Sequence, residues 1–239
     1  MALLPWRTGI VTRIKDETAD TKRFWIQVPE LATFEFLPGQ FVTFDLPIHE
    51  KANKRLRSYS IASWPDGTNI FELIIVRDIQ GVGTNYLFHE VSVGSTLTFR
   101  GPQGVFTLKE PLDKDLYLIC TGTGIAPFRS MLHNIKNKNI PNKSITLIFG
   151  CRTKEHLLYF EEMKTLEQSL PGFKYTPTLS REVWEGATGY VHLVYESLCR
   201  DKKPAAFLLC GWRGMIDEAK KRILDLGYDK KDIHDEIYG

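Results

Sequence analysis

No apolar run in this chain approaches the roughly 20 residues that a membrane-spanning helix needs, so membrane insertion is not expected. The opening residues Met1-Ala2-Leu3-Leu4-Pro5-Trp6-Arg7 lack the cleavage pattern of a secretory leader, and a cytoplasmic location is expected. Charge of one sign is also scarce. Lys and Arg number 31 against 29 Asp and Glu, a net charge of +2, which gives no global case for nucleic acid or an anionic membrane as partner. The four cysteines, at 120, 151, 199 and 210, show neither Cys-x-x-Cys nor Cys-x4-Cys spacing. That argues against a cysteine-ligated iron–sulfur cluster or zinc finger within the chain, and the scatter fits reduced thiols. Six histidines without a His-x3-His pattern offer no metal site, and no Gly-x-Ser-x-Gly elbow is present. Internal repeats and low-complexity tracts are absent as well. If electrons pass to a metal cluster, that cluster resides on another polypeptide.

What is present suggests two domains. At 239 residues and 43% hydrophobic, the chain has material for two cores, each of roughly 100 to 130 residues. The first half carries short β-branched and aromatic segments at 8–14, 22–28, 41–45, 57–62, 70–76 and 96–100, separated by Gly and Pro turns and one helical patch at 83–90. That spacing predicts an antiparallel β-barrel over residues 1–111. From 112 to 239 apolar strands at 116–120, 145–150, 174–179 and 206–210 alternate with helical stretches at 127–138, 155–169, 189–197 and 215–226. Alternation of this kind predicts an α/β doubly wound parallel sheet, which binds ligands beyond the carboxyl ends of its strands. Residues 137–143 read as an exposed loop.

Cys120-Thr121-Gly122-Thr123-Gly124-Ile125-Ala126-Pro127 stands where the first strand of this half turns into a helix. Backbone can approach a pyrophosphate closely there, and helix N–H groups face the anion. The turn alone leaves FAD, NAD and NADP all open.

Other motifs surround it. Arg57-Ser58-Tyr59-Ser60 fits an Arg-x-Tyr-Ser flavin motif. In order there follow Gly101-Pro102-Gln103-Gly104-Val105-Phe106, Gly124-Ile125-Ala126-Pro127, Leu157-Leu158-Tyr159-Phe160-Glu161-Glu162, Ser180-Arg181-Glu182, Cys210-Gly211-Trp212-Arg213-Gly214-Met215 and Asp235-Glu236-Ile237-Tyr238. With motifs in both halves in this order, the chain resembles the ferredoxin–NADP reductase family over nearly its whole length. With the flavin motif on the barrel, the glycine turn is left for the nicotinamide nucleotide. Pro127, which lacks an N–H and suits a first helical turn, gives it the Gly-x-Gly-x-x-Pro form.

The resemblance implies an FAD site and an NADP site. Arg57 would pair with the flavin pyrophosphate through its planar fork, Tyr59 would stack on the isoalloxazine, and Ser58 and Ser60 complete the motif, with the Ser60 hydroxyl near flavin N5. Further FAD contacts are implied from Ile75, Val76 and Arg77, and from Val82, Gly83 and Thr84 through backbone N–H groups. Tyr238, followed here by Gly239, would cover the opposite flavin face, and no terminal tryptophan is there to stack on the adenine. Cys210, Ser60, Glu236 and Tyr238 form the implied catalytic group, with nicotinamide C4 held over flavin N5 and Glu236 a candidate proton relay. Thr121, Gly122, Thr123, Gly124, Pro127, Cys151, Arg152, Ser180, Arg181, Tyr190, Cys210, Gly211, Trp212 and Met215 would surround the nucleotide.

A 2′-phosphate needs cationic or hydroxyl donors; the resemblance implies Ser180 and Arg181 for that role, with Arg152 able to add charge. Tyr190 stands near where some relatives carry arginine or lysine. NADP(H) is therefore expected, with NAD(H) still open. Lys51, Lys54, Arg55 and Arg57 form a basic rim able to steer an acidic ferredoxin or flavodoxin. The expected protein is a monomeric flavoprotein oxidoreductase of the ferredoxin reductase type, exchanging hydride with NADP(H) and single electrons with a separate carrier. Two alternatives stay open: an NADH-dependent reductase component of an oxygenase system, and a non-catalytic flavin-binding electron-transfer subunit.

Overall fold

The computed structural model describes residues 4–238; the first three residues of the leader reading, and Gly239 of the tail, lie outside the described residues. Residues up to Leu108 together with Ala126–Asn134 form one compact unit, and Lys109–Ile125 with the residues from Ile135 onward form a second.

The first unit contains β1 (Arg7–Thr18), β2 (Thr21–Gln27), β3 (Phe41–Asp45), β4 (Leu56–Ser60), β5 (Ile70–Val76), helix α1 (Val82–His89) and β6 (Thr96–Gln103). The strands form an antiparallel sheet in the order β4-β3-β6-β1-β2-β5, and β4 and β5 at its two ends also touch, which makes it barrel-like. Alternation drives this arrangement. In β6, Leu97 and Phe99 point inward while Thr96 and Thr98 face water. Phe24, Phe44, Phe71 and Phe99 fill the interior with no more than 1% exposure each, and Phe71 meets Phe99 edge-on at a centroid distance of 5.3 Å. The strand expected at 57–62 stops at Ser60, because Ile61 and Ala62 turn their N–H groups to the carbonyls of Gln40 and Glu72.

Helix α2 (Ile125–Asn137) contributes residues 126–134 to this same unit. Phe128 packs on Phe106 at 5.8 Å between centroids. A side chain on Gly39 would meet Met131 Cε at 2.7 Å. The sequence reading placed the whole helix with the α/β half; contact assigns its middle to the barrel, because its buried apolar residues have partners there.

The second unit contains β7 (Leu112–Thr121), β8 (Asn142–Cys151), α3 (Phe160–Ser169), β9 (Phe173–Leu179), β10 (Ala187–Thr188), α4 (Val191–Leu198), β11 (Ala205–Trp212), α5 (Arg213–Asp225) and β12 (Ile233–Tyr238). All strands run parallel in the order β10-β9-β8-β7-β11-β12. Ile119, Ile148, Phe207 and Leu209 bury one face of the sheet against Val191 and Tyr195 of α4 and Ile216 and Ala219 of α5. The near-continuous apolar runs of β7 and β8 fit strands covered on both faces.

Two expectations need correction, and one element goes beyond them. The helix expected from 155 begins only at Phe160, after a 3-10 turn at Lys154–His156 and a left-handed Tyr159 with φ 53. Asn142 and Lys143, read as loop, open β8. The tail is a paired strand, with Cys210 beside Glu236 and Trp212 beside Tyr238; its polar composition hid an edge that main-chain hydrogen bonds define. Among the described residues no helix is long and apolar enough to cross a membrane.

Candidate functional site

In the first unit the flavin motif occupies all but the first residue of β4. Its register puts Arg57 opposite Phe44, Ser58 opposite Thr43, Tyr59 opposite Val42 and Ser60 opposite Phe41. Tyr59 is half-buried and packs on Phe44 at a centroid distance of 6.0 Å. Burial pushes its phenol up to about 12, opposed by the neighbouring Arg57 charge. Ser60 is buried at the strand's end. Ser58 shares a hydrogen bond of 2.9 Å with Thr43, whose hydroxyl also accepts from Gln103 Nε2 at 2.7 Å.

Arg57 Nη1 donates to the carbonyls of Leu56 and Lys54, at 2.8 and 3.1 Å, and its stem lies against Gly83, where a Cβ would meet Arg57 Nε at 2.9 Å. The fork is thereby brought over the first turn of α1. No side chain caps that turn, so its N–H groups and Arg57 face one region, which fits an anionic phosphate. Two expected FAD contacts are narrowed. Ile75 is buried in the barrel interior at 2% exposure, so only its backbone could reach a ligand. Arg77 Nε donates to Asn85 at 2.9 Å, and the Thr84 hydroxyl bonds the carbonyls of Asp78 and Gly81; both side chains shape the loop.

In the second unit β7 pairs with β8 on one side and β11 on the other, so the strand order reverses at β7. Ligands of open α/β sheets bind at that point. Thr121 ends β7, Gly122–Gly124 form a 3-10 turn, and α2 follows, with Pro127 in its first turn. A Cβ on Gly124 would lie 2.8 Å from the carbonyl carbon of Cys210 and closer still to its oxygen, so only glycine lets the turn sit on β11. Gly211, at φ +148, would meet Thr121 Oγ1 at 2.5 Å and Met215 Cε at 3.1 Å if it carried a side chain. Thr121 Oγ1 is buried with no hydrogen-bond partner, and no side chain caps the turn. A cradle closed by two glycines, with uncapped N–H groups and an orphaned hydroxyl, fits a nucleotide pyrophosphate.

Cys210 stands beside Cys120 on β7 and Glu236 on β12. Burial, then the Glu236 and Cys120 charges, push its thiol far above the usual range, while a hydrogen bond with Tyr238 opposes them. Cys210 is therefore a neutral packing group. Farther along the sheet, Ser180 N and Oγ both donate to the Cys151 carbonyl, the latter at 3.2 Å, and Arg181 N donates to Arg152 O at 2.9 Å. Both arginines are exposed. Tyr190, 71% exposed, precedes α4, and Trp212, 65% exposed, precedes α5. Thus Thr121–Gly124, Cys210–Trp212 and Glu236–Tyr238 gather at the reversal point, with Cys151–Arg152 and Ser180–Arg181 forming a second cluster at the ends of β8 and β9, one and two strands from β7.

Sequence reading gave no role to three groups. Glu182 Oε2 accepts the Lys154 N–H at 2.7 Å, which puts a carboxylate beside Arg152 and Arg181. Glu72 and Arg129 form a buried ion pair at 3.1 Å. A lone charge inside an apolar run, as in Phe71-Glu72-Leu73 and Phe128-Arg129-Ser130-Met131, was the available signal. Arg55 of the basic rim is tied to Asp45 at 2.6 Å, and Arg57 to backbone carbonyls, leaving Lys51 and Lys54 as the rim's exposed cations.

Two phosphate-receptive sites, one on an antiparallel barrel and one at the reversal point of a parallel sheet, define a flavin- and pyridine-nucleotide-dependent oxidoreductase. The family model described as Oxidoreductase FAD-binding domain matches residues 8–108, and that described as Oxidoreductase NAD-binding domain matches 118–221. A curated relative, ferredoxin–NADP reductase B of Sorangium cellulosum, is 34% identical over 86% of this chain and 86% of its own length. The chain belongs to the ferredoxin–NADP reductase family and uses FAD and a pyridine nucleotide. The anthranilate 1,2-dioxygenase electron transfer component of Acinetobacter baylyi is 32% identical over 78% of this chain, which spans 53% of that relative. Across several further curated relatives the chain spans 53% to 63% of their length. Among solved structures, a cytochrome P450 reductase of Amycolatopsis superposes with a TM-score of 0.88 at 25% identity, over 99% of this chain and 71% of that one.

Proposed function

We propose that this chain carries electrons between NADP(H) and a separate ferredoxin- or flavodoxin-type acceptor, with FAD held on the barrel. FAD, when bound, links two-electron exchange with the nicotinamide to one-electron exchange with the carrier. The chain's own residues bind and orient. Arg57 and the first turn of α1 hold the flavin phosphates, and Tyr59 and Ser60 align the ring. Thr121 and the Gly122–Gly124 turn hold the nucleotide pyrophosphate. Cys210 packs beside the nicotinamide as a neutral thiol, Glu236 relays a proton next to it, and Tyr238 covers the ring until the nucleotide arrives.

The observation that carries the NADP reading is the pairing of Ser180-Arg181 with the Cys151-Arg152 segment by main-chain and hydroxyl hydrogen bonds, which sets two exposed arginines together past the carboxyl ends of β8 and β9. Steady-state ferricyanide reduction should give a higher kcat/KM with NADPH than with NADH. Arg181→Ala should lower the NADPH value about tenfold or more, the size of a lost charge-assisted hydrogen bond, and leave NADH almost untouched. A higher kcat/KM for NADH in the native chain would overturn the assignment.

One observation favours a second reading. Glu182 beside those arginines is the kind of carboxylate that accepts from a ribose 2′-hydroxyl and repels a 2′-phosphate. An NADH-dependent reductase serving an oxygenase would show that preference.

Lys51 and Lys54 suit an acidic carrier. Reversing both to glutamate should slow ferredoxin reduction at low salt and flatten its salt dependence, with ferricyanide reduction unchanged. Equal rates in native and reversed proteins across ionic strengths would sink the docking role.

A further inference from the structure

Arg129 lies on α2, four residues past Ile125, and its side chain is 5% exposed. Nη1 donates to the Ala62 carbonyl at 2.8 Å and to Glu72 Oε2 at 3.1 Å. The guanidinium carbon sits 5.2 Å from the centroid of Trp64, and Trp64 stacks on His133 of α2 at 3.9 Å and 17°. Glu72 in turn takes Arg23 Nε at 2.6 Å and Arg23 Nη2 at 3.1 Å, and Arg23 reaches Glu17 at 3.4 Å. Two arginines and two glutamates thus form one chain of charges.

Neutralising a buried carboxylate would need only Arg23, whose fork already engages both oxygens of Glu72. Arg129 does more. It holds the carbonyl of Ala62, two residues beyond Ser60, at the point where the chain leaves the β4 ladder. Ala62 N–H is fixed by the Glu72 carbonyl, so both main-chain groups of this residue are anchored through one strand and one helix.

We propose that Arg129 is a positioning residue: it locks the segment that leaves the flavin motif at Ser60 onto α2, and so fixes the end of β4 where Ser60 stands. The proposal rests on the flavin reductase reading above. Its physical basis is that a misplacement of about 1 Å beside the reacting ring can cost on the order of a hundredfold in rate, and a buried, planar guanidinium whose Nη1 donates to both the Ala62 carbonyl and Glu72 removes that freedom.

The test uses the full-length holoprotein and the variants Arg129→Gln and Arg129→Lys. Lysine keeps the charge for Glu72 but lacks the fork. Both variants should retain FAD, lower kcat for flavin reduction by NADPH about tenfold to a hundredfold, change KM less than about twofold, and shift the visible absorption bands of the bound flavin. Lysine should recover much of the thermal stability without recovering the rate. If Arg129→Gln does not fold, Arg129→Lys alone decides. Variants that lose stability but keep native kcat and flavin spectrum would overturn the positioning role. A native chain that binds no FAD would overturn the underlying reading itself, a result separable from the first.

Discussion

Gly124→Val will abolish reduction by either pyridine nucleotide while FAD stays bound. The new Cβ would lie 2.8 Å from the Cys210 carbonyl carbon and 3.2 Å from Gly211 Cα, with the Cys210 oxygen nearer than either. These are backbone atoms of a strand paired on both sides, so no side chain can swing away to make room. Either the 3-10 turn lifts from β11 or β11 shifts in its sheet. Both outcomes displace the uncapped N–H groups that the pyrophosphate needs, and a shift of about 1 Å is worth on the order of a hundredfold. The flavin motif stands on the other unit, so FAD content, read from visible absorbance after gel filtration, should match the native chain. Gly124→Ala should show the same loss, because the clash begins at Cβ. Stopped-flow flavin reduction in the valine variant within about threefold of native would remove the cradle from the nucleotide site.

Glu72→Ala will produce the largest loss of stability. The Glu72 side chain is 4% exposed and faces Arg23 at 2.6 Å and Arg129 at 3.1 Å. Deleting it leaves two guanidinium groups with little water and without their shared carboxylate. Breaking a buried pair in this way costs about 3–5 kcal/mol, a Tm decrease on the order of 10 °C for a chain of this size. Glu72→Gln, which keeps an acceptor oxygen, should fall between. Release of flavin fluorescence on heating reports the melting of the barrel unit. A Tm for Glu72→Ala within about 2 °C of native would mean that the network contributes no net stability.

Much of the fold was legible because each half has its own period. Leu97 and Phe99 alternate with Thr96 and Thr98, whereas the run from Leu116 to Cys120 is apolar throughout. The glycine turn could be named from its place between strand and helix, and the Arg57–Ser60 motif and the Ser180-Arg181 pair through the family resemblance. The tail strand could not: His234, Asp235 and Glu236 look like solvent-exposed residues, and only the open edge of β11 makes them a strand. Nor could the cost of individual residues be seen. Ile75 looks as available as Val76 in the sequence, yet it is core.

The amino-acid sequence by itself determined the two-part architecture, the cofactor pair and the order of the binding motifs. The architecture follows from local periodicity, and the cofactor pair and motif order from the family resemblance that the short motifs carry. Tertiary structure alone decided that the middle of α2 belongs with the barrel, that Glu182 stands beside the two arginines, and that Arg129, Glu72, Arg23 and Glu17 form one chain of charges. The physical reason is separation along the chain. A buried charge announces that it has a partner, but a partner 57 residues away is found only when both elements have packed.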